Sequence, residues 1–120
     1  MSYLWDSYAV IELMSGNPNY AKYAQEKVRI TMFNLVEIYW FSLHEYGAKT
    51  ARAIYETYRK AVVEPEDQTI MEAVEFRKEH KKKGLSYADC IGYIHAKRNG
   101  IRFLTGDRQF ELMQNVEYAK

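Results

Sequence analysis

The chain has one cysteine, two prolines and only four aspartates in 120 residues. A single thiol, Cys90, cannot bridge within the chain, which excludes a disulfide scaffold and suits a reducing interior. No apolar run approaches the eighteen residues a membrane span needs, and the first residues lack the basic, apolar and small-residue blocks of a signal peptide. The expectation is therefore a cytoplasmic protein that does not enter the membrane. Internal repeats, linkers and low-complexity tracts are missing as well, so residues 1–120 are expected to form a single domain. A chain of this length can bury roughly two-thirds of its unfolded surface, enough for a core without structural metal. With 48% hydrophobic and 28% charged residues, disorder is excluded. His44, His80 and His95 are scattered singletons, and no Cys/His cluster suggests zinc.

What is present alternates between strand and helix signals. Ser2 to Trp5 reads as a strand, Tyr8 to Met14 as a helix, and Gly16-Asn17-Pro18-Asn19 as a turn. A short polar helix is expected over Asn19 to Lys27 and a β-branched strand over Val28 to Met32. Helices follow from Asn34 to Tyr46, ended by Gly47, and from Ala48 to Lys60, with Ala51, Ile54, Tyr55 and Tyr58 on one stripe. Ala61 to Glu64 reads as a strand. Asp67 then caps a helix expected to bury Ile70, Met71, Val74 and Phe76 and to end in Lys81-Lys82-Lys83. The most apolar helix runs from Ser86 to Asn99, before a strand over Ile101 to Thr105, a short helix over Arg108 to Met113 and a last strand over Val116 to Tyr118. This order predicts an α/β fold with three layers (α/β/α) around a parallel sheet of about five strands.

The acids are unevenly chosen: twelve are Glu and four are Asp, at positions 6, 67, 89 and 107. Glu is the usual solvent-facing acid of helices, so each Asp asks for its own reason. Parallel sheets bind ligands beyond the carboxyl ends of their strands. Asp6 and Asp107 follow strands directly, and Glu37 and Asp89 fall early in helices, so all four can share one rim. Singly, each has a local reading. Ser86-x-x-Asp89 and Asn34-x-x-Glu37 fit capping boxes, and Asp6 and Asp107 can cap the helices they precede. Jointly that reading weakens. Asp89 is the only charge in Tyr87-Ala88-Asp89-Cys90-Ile91-Gly92-Tyr93-Ile94, and a buried carboxylate without a partner is costly. Gly92 and Ala96 on its stripe let another element approach. Converging carboxylates without basic partners raise each other's pKa values, and a divalent cation resolves the repulsion. Ligation by oxygen alone favours Mg²⁺ or Mn²⁺.

Four pieces then resemble one family: Tyr3-Leu4-Trp5-Asp6-Ser7 with Ile11-Glu12-Leu13, Asn34-Leu35-Val36-Glu37, Leu85-Ser86-Tyr87-Ala88-Asp89-Cys90-Ile91-Gly92, and Phe103-Leu104-Thr105-Gly106-Asp107-Arg108-Gln109-Phe110. In this order and spacing they resemble the PIN (PilT N-terminus) domain, most nearly the VapC-type ribonuclease toxins of toxin–antitoxin pairs. The resemblance implies a catalytic acidic quartet of Asp6, Glu37, Asp89 and Asp107, oriented by the hydroxyls of Ser7 and Thr105. Tyr8 departs from the small residue many relatives carry there. The implied activity is divalent-metal-dependent hydrolysis of RNA phosphodiesters. Asp6, Asp89 and Asp107 would be metal ligands and Glu37 would position a metal-bound water. A cognate antitoxin and a homodimer are the implied partners.

Setting the quartet aside leaves seventeen basic groups against twelve acids, a balance of +5 that suits RNA. Arg108, Lys97, Arg98 and Arg102 are the candidate phosphate contacts, and some of the eleven tyrosines could stack bases. Ile38, Tyr39, Trp40, Phe41 and Leu43 give the helix from Asn34 more apolar surface than one stripe buries, which points to an interface. A catalytically silent binding module of the same fold is one alternative. A phosphoacceptor receiver domain fits poorly, since it wants adjacent acids after the first strand and a lysine after the last, and Asp6 is followed by Ser7.

Overall fold

A computed structural model describes residues 2–120. Among them, three short strands form a parallel sheet in the order β1 (Tyr3–Trp5), β2 (Arg102–Thr105), β3 (Val116–Tyr118). The register sets Leu4 beside Phe103, Trp5 beside Leu104 and Thr105 beside Tyr118. Side chains alternate across the sheet, as strand geometry requires. Tyr3, Trp5 and Leu104 face one core, with α1 (Ser7–Met14), α2 (Met32–Tyr46) and α3 (Ala48–Arg59). Leu4 and Phe103 face the other, with α4 (Asp67–Glu79) and α5 (Tyr87–Arg98). Each fully buried large side chain contributes about 1.5–3 kcal/mol by leaving water. The result is the expected three-layer α/β arrangement.

The expected strands at Val28–Met32 and Ala61–Glu64 shrink to one parallel bridge between Ile30 and Val62. They still extend the sheet past β1: Trp5 N–H donates to the Arg29 carbonyl at 2.8 Å, and Val63 N–H to the Ile30 carbonyl at 2.7 Å. The cause is local. Thr31 is already spent as the N-cap of α2, and Pro65 follows Val63 by two residues, so neither segment has length for a ladder. α2 consequently starts two residues before the expected Asn34. The expected helices at Asn19–Lys27 and Arg108–Met113 are 3-10 turns over Pro18–Tyr23 and Arg108–Phe110. On α4 the inward residues are Thr69 and Ala73, with Ile70 and Phe76 packed alongside; Met71 and Val74 face solvent, contrary to expectation. The stripe of α3 does pack inward, as its spacing predicts.

α5 lies close on the sheet because Gly92 has no side chain. A Cβ there would stand 2.9 Å from the Phe103 ring and 3.1 Å from Leu4. This is the approach that the small residues beside Asp89 anticipate. Among the described residues, no helix is long and apolar enough to cross a membrane.

Candidate active site

Asp6, Glu37, Asp89 and Asp107 line one cavity of about 800 Å³ at the carboxyl ends of β1 and β2. β1 ends at Trp5, and the Asp6 N–H continues its pairing by donating to the Leu104 carbonyl at 2.9 Å. Asp6 therefore starts α1 with its position set by the sheet. It makes no side-chain cap to the second or third residue of the helix. Thr105, fully buried at the end of β2, donates its hydroxyl to Asp6 Oδ2 at 2.7 Å and accepts the Asp107 N–H at 3.0 Å. One hydroxyl thus fixes two of the acids.

The helix-borne acids are held differently. Glu37 lies in the second turn of α2 and accepts the Ser7 hydroxyl. Ser7 Oγ in turn accepts from the Asn34 amide at 3.1 Å. Asn34 is fully buried, and it is not the cap that Asn34-x-x-Glu37 suggests: Thr31 and Asn34 form the capping box, with Thr31 N–H donating to Asn34 Oδ1 at 2.9 Å. The same side chain thereby ties the helix start to the Ser7–Glu37 pair. Thr31-x-x-Asn34 ahead of an apolar run is the signal that could have revealed it. Asp89 does form the expected capping box, with Ser86 N–H on Oδ2 at 2.9 Å, and Asp107 Oδ1 accepts the Gln109 N–H at 2.9 Å.

The electrostatics are those of like charges gathered together. Burial pushes the Asp6 carboxyl up to about 8, and Asp89 and Glu37 reinforce that rise; the Thr105 hydroxyl and the Ser7 N–H oppose it. Glu37 is raised by loss of water around its carboxylate, tempered by the Ser7 hydrogen bond and reinforced by Asp89. Asp89 is raised by burial, with the Ser86 hydrogen bonds pulling the other way and Asp107 adding to the rise. Among the described residues, no cation figures in the groups acting on Asp6.

Of the four candidate phosphate contacts, only Arg108 lines the cavity. Lys97 and Arg98 lie at the far end of α5, about 12 Å along the helix from Asp89 at 1.5 Å per residue, and Arg102 opens β2 at that same far end. Arg98 pairs with Glu72 and Arg102 with Glu117. Lys120, which sequence reasoning missed, does line the cavity, as does Trp40, 63% exposed on α2 and expected only at an interface.

Among the described residues, no three of Asp, Glu, His and Cys stand close enough to hold an ion as they are placed. The shortfall is one of separation. In donor type the set is oxygen only, and its charge is uncompensated, so it fits a hard divalent cation. Glu37 and Asp107 each keep one carboxylate oxygen without a donor among the described residues.

The PIN domain family model matches residues 3–115. The chain belongs to the PIN domain family. No curated protein matches it. Among solved structures, this PIN chain is similar to a toxin–antitoxin complex from Klebsiella pneumoniae, with 21% identity and a TM-score of 0.73, covering 97% of this chain and 96% of that one. It is also similar to VapBC2 from Rickettsia felis bound to a DNA fragment from its promoter, with 15% identity, a TM-score of 0.71 and 100% of both chains covered. A third is VapBC-1 from nontypeable Haemophilus influenzae, with 17% identity and a TM-score of 0.70 over 98% of this chain and 96% of that one. At such identities the likeness concerns the fold.

Proposed function

We propose that this PIN domain is a Mg²⁺- or Mn²⁺-dependent endoribonuclease that cuts single-stranded or loop RNA, and that it is the toxin of a type II toxin–antitoxin pair. The observation that carries the reading is Asp6: a buried carboxyl, raised in pKa by burial and further by Asp89 and Glu37, with no ion pair among the described residues. Stability alone does not explain such a group, since an unpaired buried acid is costly. Asp6, Asp89 and Asp107 would hold the ion. When bound, it lowers the pKa of a bound water and neutralises charge on the phosphoryl oxygens.

The chain's own residues set the geometry. Thr105 orients Asp6 and locks the Asp107 backbone. Asn34 holds Ser7, and Ser7 holds Glu37, which would orient the attacking water. Arg108, on the cavity wall, would take substrate phosphate. None of the three histidines lines the cavity, so the reading assigns them no proton transfer.

Residues 1–120 would act as one domain, in the cytoplasm. Antitoxin complexes among proteins of the same fold, and the exposed apolar residues Phe33, Val36 and Trp40 of α2, support a cognate antitoxin and a homodimer as partners. One observation favours a second reading, a catalytically silent RNA- or protein-binding module: the acids do not stand within reach of a single ion. Incubation of labelled single-stranded RNA with the protein separates the two. Cleavage that needs Mg²⁺ or Mn²⁺, stops in EDTA and disappears in Asp6→Asn supports the nuclease. Binding without cleavage supports the silent module, and cleavage undiminished in excess chelator contradicts the metal mechanism.

A further inference from the structure

The segment after β3 returns to the same rim and is tied down there. The Ala119 N–H donates to the Thr105 carbonyl at 3.0 Å, extending the pairing of β3 with β2. The carbonyl of Ala119 accepts the hydroxyl of the fully buried Tyr20 at 2.5 Å, and the Asn19 amide donates to the Lys120 carbonyl at 2.9 Å. Gly106 makes the approach possible, because a Cβ there would stand 2.5 Å from the Ala119 oxygen and 2.2 Å from the Tyr8 ring. The backbone beside the Lys120 side chain is thus fixed to the strand end that also orients Asp6 and Asp107. The Lys120 ammonium lies 5.7 Å from the centroid of the Tyr8 ring, and the residue lines the acidic cavity. The Tyr8 side chain thereby becomes a support for this cation.

Lys120 and Arg108 are the two cations lining a cavity whose other charges are all acidic, and neither forms an ion pair among the described residues. A polyanion entering such a cavity is repelled by the acids, and an ion at the carboxylates offsets that for one phosphate only. Its neighbours along the strand need separate cations.

We infer that Lys120, held in place by Tyr20, Asn19 and Tyr8, is a substrate-binding residue of this site and takes a phosphate of single-stranded RNA adjacent to the one being cut. The inference rests on the nuclease reading above. Its test is steady-state cleavage of a fluorogenic single-stranded RNA oligonucleotide in Mn²⁺ across a series of salt concentrations, for wild type, Lys120→Ala and Lys120→Arg. Lys120→Ala should raise KM by about fivefold, as for one exposed charged contact, and leave kcat nearly unchanged. Its plot of log(kcat/KM) against log salt should be shallower by about 0.7, the counterion release of one phosphate contact on a single strand. Lys120→Arg should restore both. A Lys120→Ala variant that cuts with wild-type KM and slope, or an arginine variant as impaired as alanine, overturns the assignment while leaving the nuclease reading intact. A wild type that neither binds nor cuts RNA overturns both.

Discussion

At one end of the strands Arg98 meets Glu72 at 3.1 Å and Arg102 meets Glu117 at 3.5 Å, each pair open to solvent. At the other end Asp6, Glu37, Asp89 and Asp107 share a cavity, and three of them are pushed above the ordinary carboxylate range by burial and by one another. The first arrangement is what an unconstrained surface does with charge, and it is worth little, about 0–1 kcal/mol per pair. The second works against stability, and the fold supplies hydroxyls and backbone N–H groups to hold it together. Acids grouped at a stability cost are a pattern of functional sites, and this supports the proposal of chemistry at that end. This also explains why counting basic residues misdirects: Lys97, Arg98 and Arg102 are close to the acids in sequence and belong to the other end.

The contrast predicts its largest effect in the pH dependence of stability. A carboxyl at about 8 in the folded protein, against an ordinary 3.8, binds its proton more tightly when folded. Its contribution is complete below about pH 4 and is lost as pH rises through 8. Glu37 and Asp89 act in the same direction. His95, buried and lowered in pKa, works the opposite way, losing stability as pH falls below about 6.5. Melting in EDTA should therefore be followed from pH 6.5 to 8.5, where Tm should drop by about 4 °C or more, at roughly 1.4 kcal/mol per pKa unit and about 4 °C per kcal/mol. Asp6→Asn should flatten the curve. A flat wild-type profile would mean that the acids do not feel one another.

A smaller effect is expected at the hydroxyl that serves two acids. Thr105→Val keeps the shape but removes the donor to Asp6 and the acceptor for the Asp107 N–H. Urea unfolding should show a loss of about 1–3 kcal/mol. The loss should be larger at pH 8.5 than at pH 6.5, because the Thr105 hydrogen bond favours the ionised form of Asp6. Equal losses at both pH values would make Thr105 a packing residue only. The smallest effects belong to the far end: Arg98→Gln and Arg102→Gln should each change stability by no more than about 1 kcal/mol and leave RNA cleavage unaltered. Lost cleavage in either would extend the substrate path to that end.

Much of this contrast was written in residue types. Scarce Asp at strand ends, and a lone acid inside an apolar helix, located the acids because those positions depart from ordinary helix chemistry. The alternation of elements located the layers, since Leu4 against Trp5 and Phe103 against Leu104 must face opposite cores. What stayed hidden depended on competition between neighbouring elements. Val28–Met32 has strand composition, yet Thr31 caps α2 and truncates it. Asn34 looks like a cap and instead bridges the cap to Ser7, a role set by a contact 27 residues away. Lys120 carries no local signal, because only the folding of residues 116–120 beside Thr105 brings it to the acids.

The central claim is that the four acids form a cluster awaiting a divalent cation. Asp6→Asn tests it more cleanly than Asp89→Asn, which also disturbs the Ser86 capping box. The asparagine side chain keeps an oxygen for the Thr105 hydroxyl and loses the charge. Thermal unfolding of wild type and Asp6→Asn at pH 8, each in EDTA and in Mn²⁺, reads both consequences. In EDTA the variant should melt higher than wild type, because repulsion with Asp89 and Glu37 is relieved. Mn²⁺ should raise the wild-type Tm, by an amount equivalent to about 2.7 kcal/mol at a hundredfold excess over Kd, and should raise that of the variant much less. An Asp6→Asn protein that melts below wild type in EDTA and keeps the full Mn²⁺ rise would contradict the account.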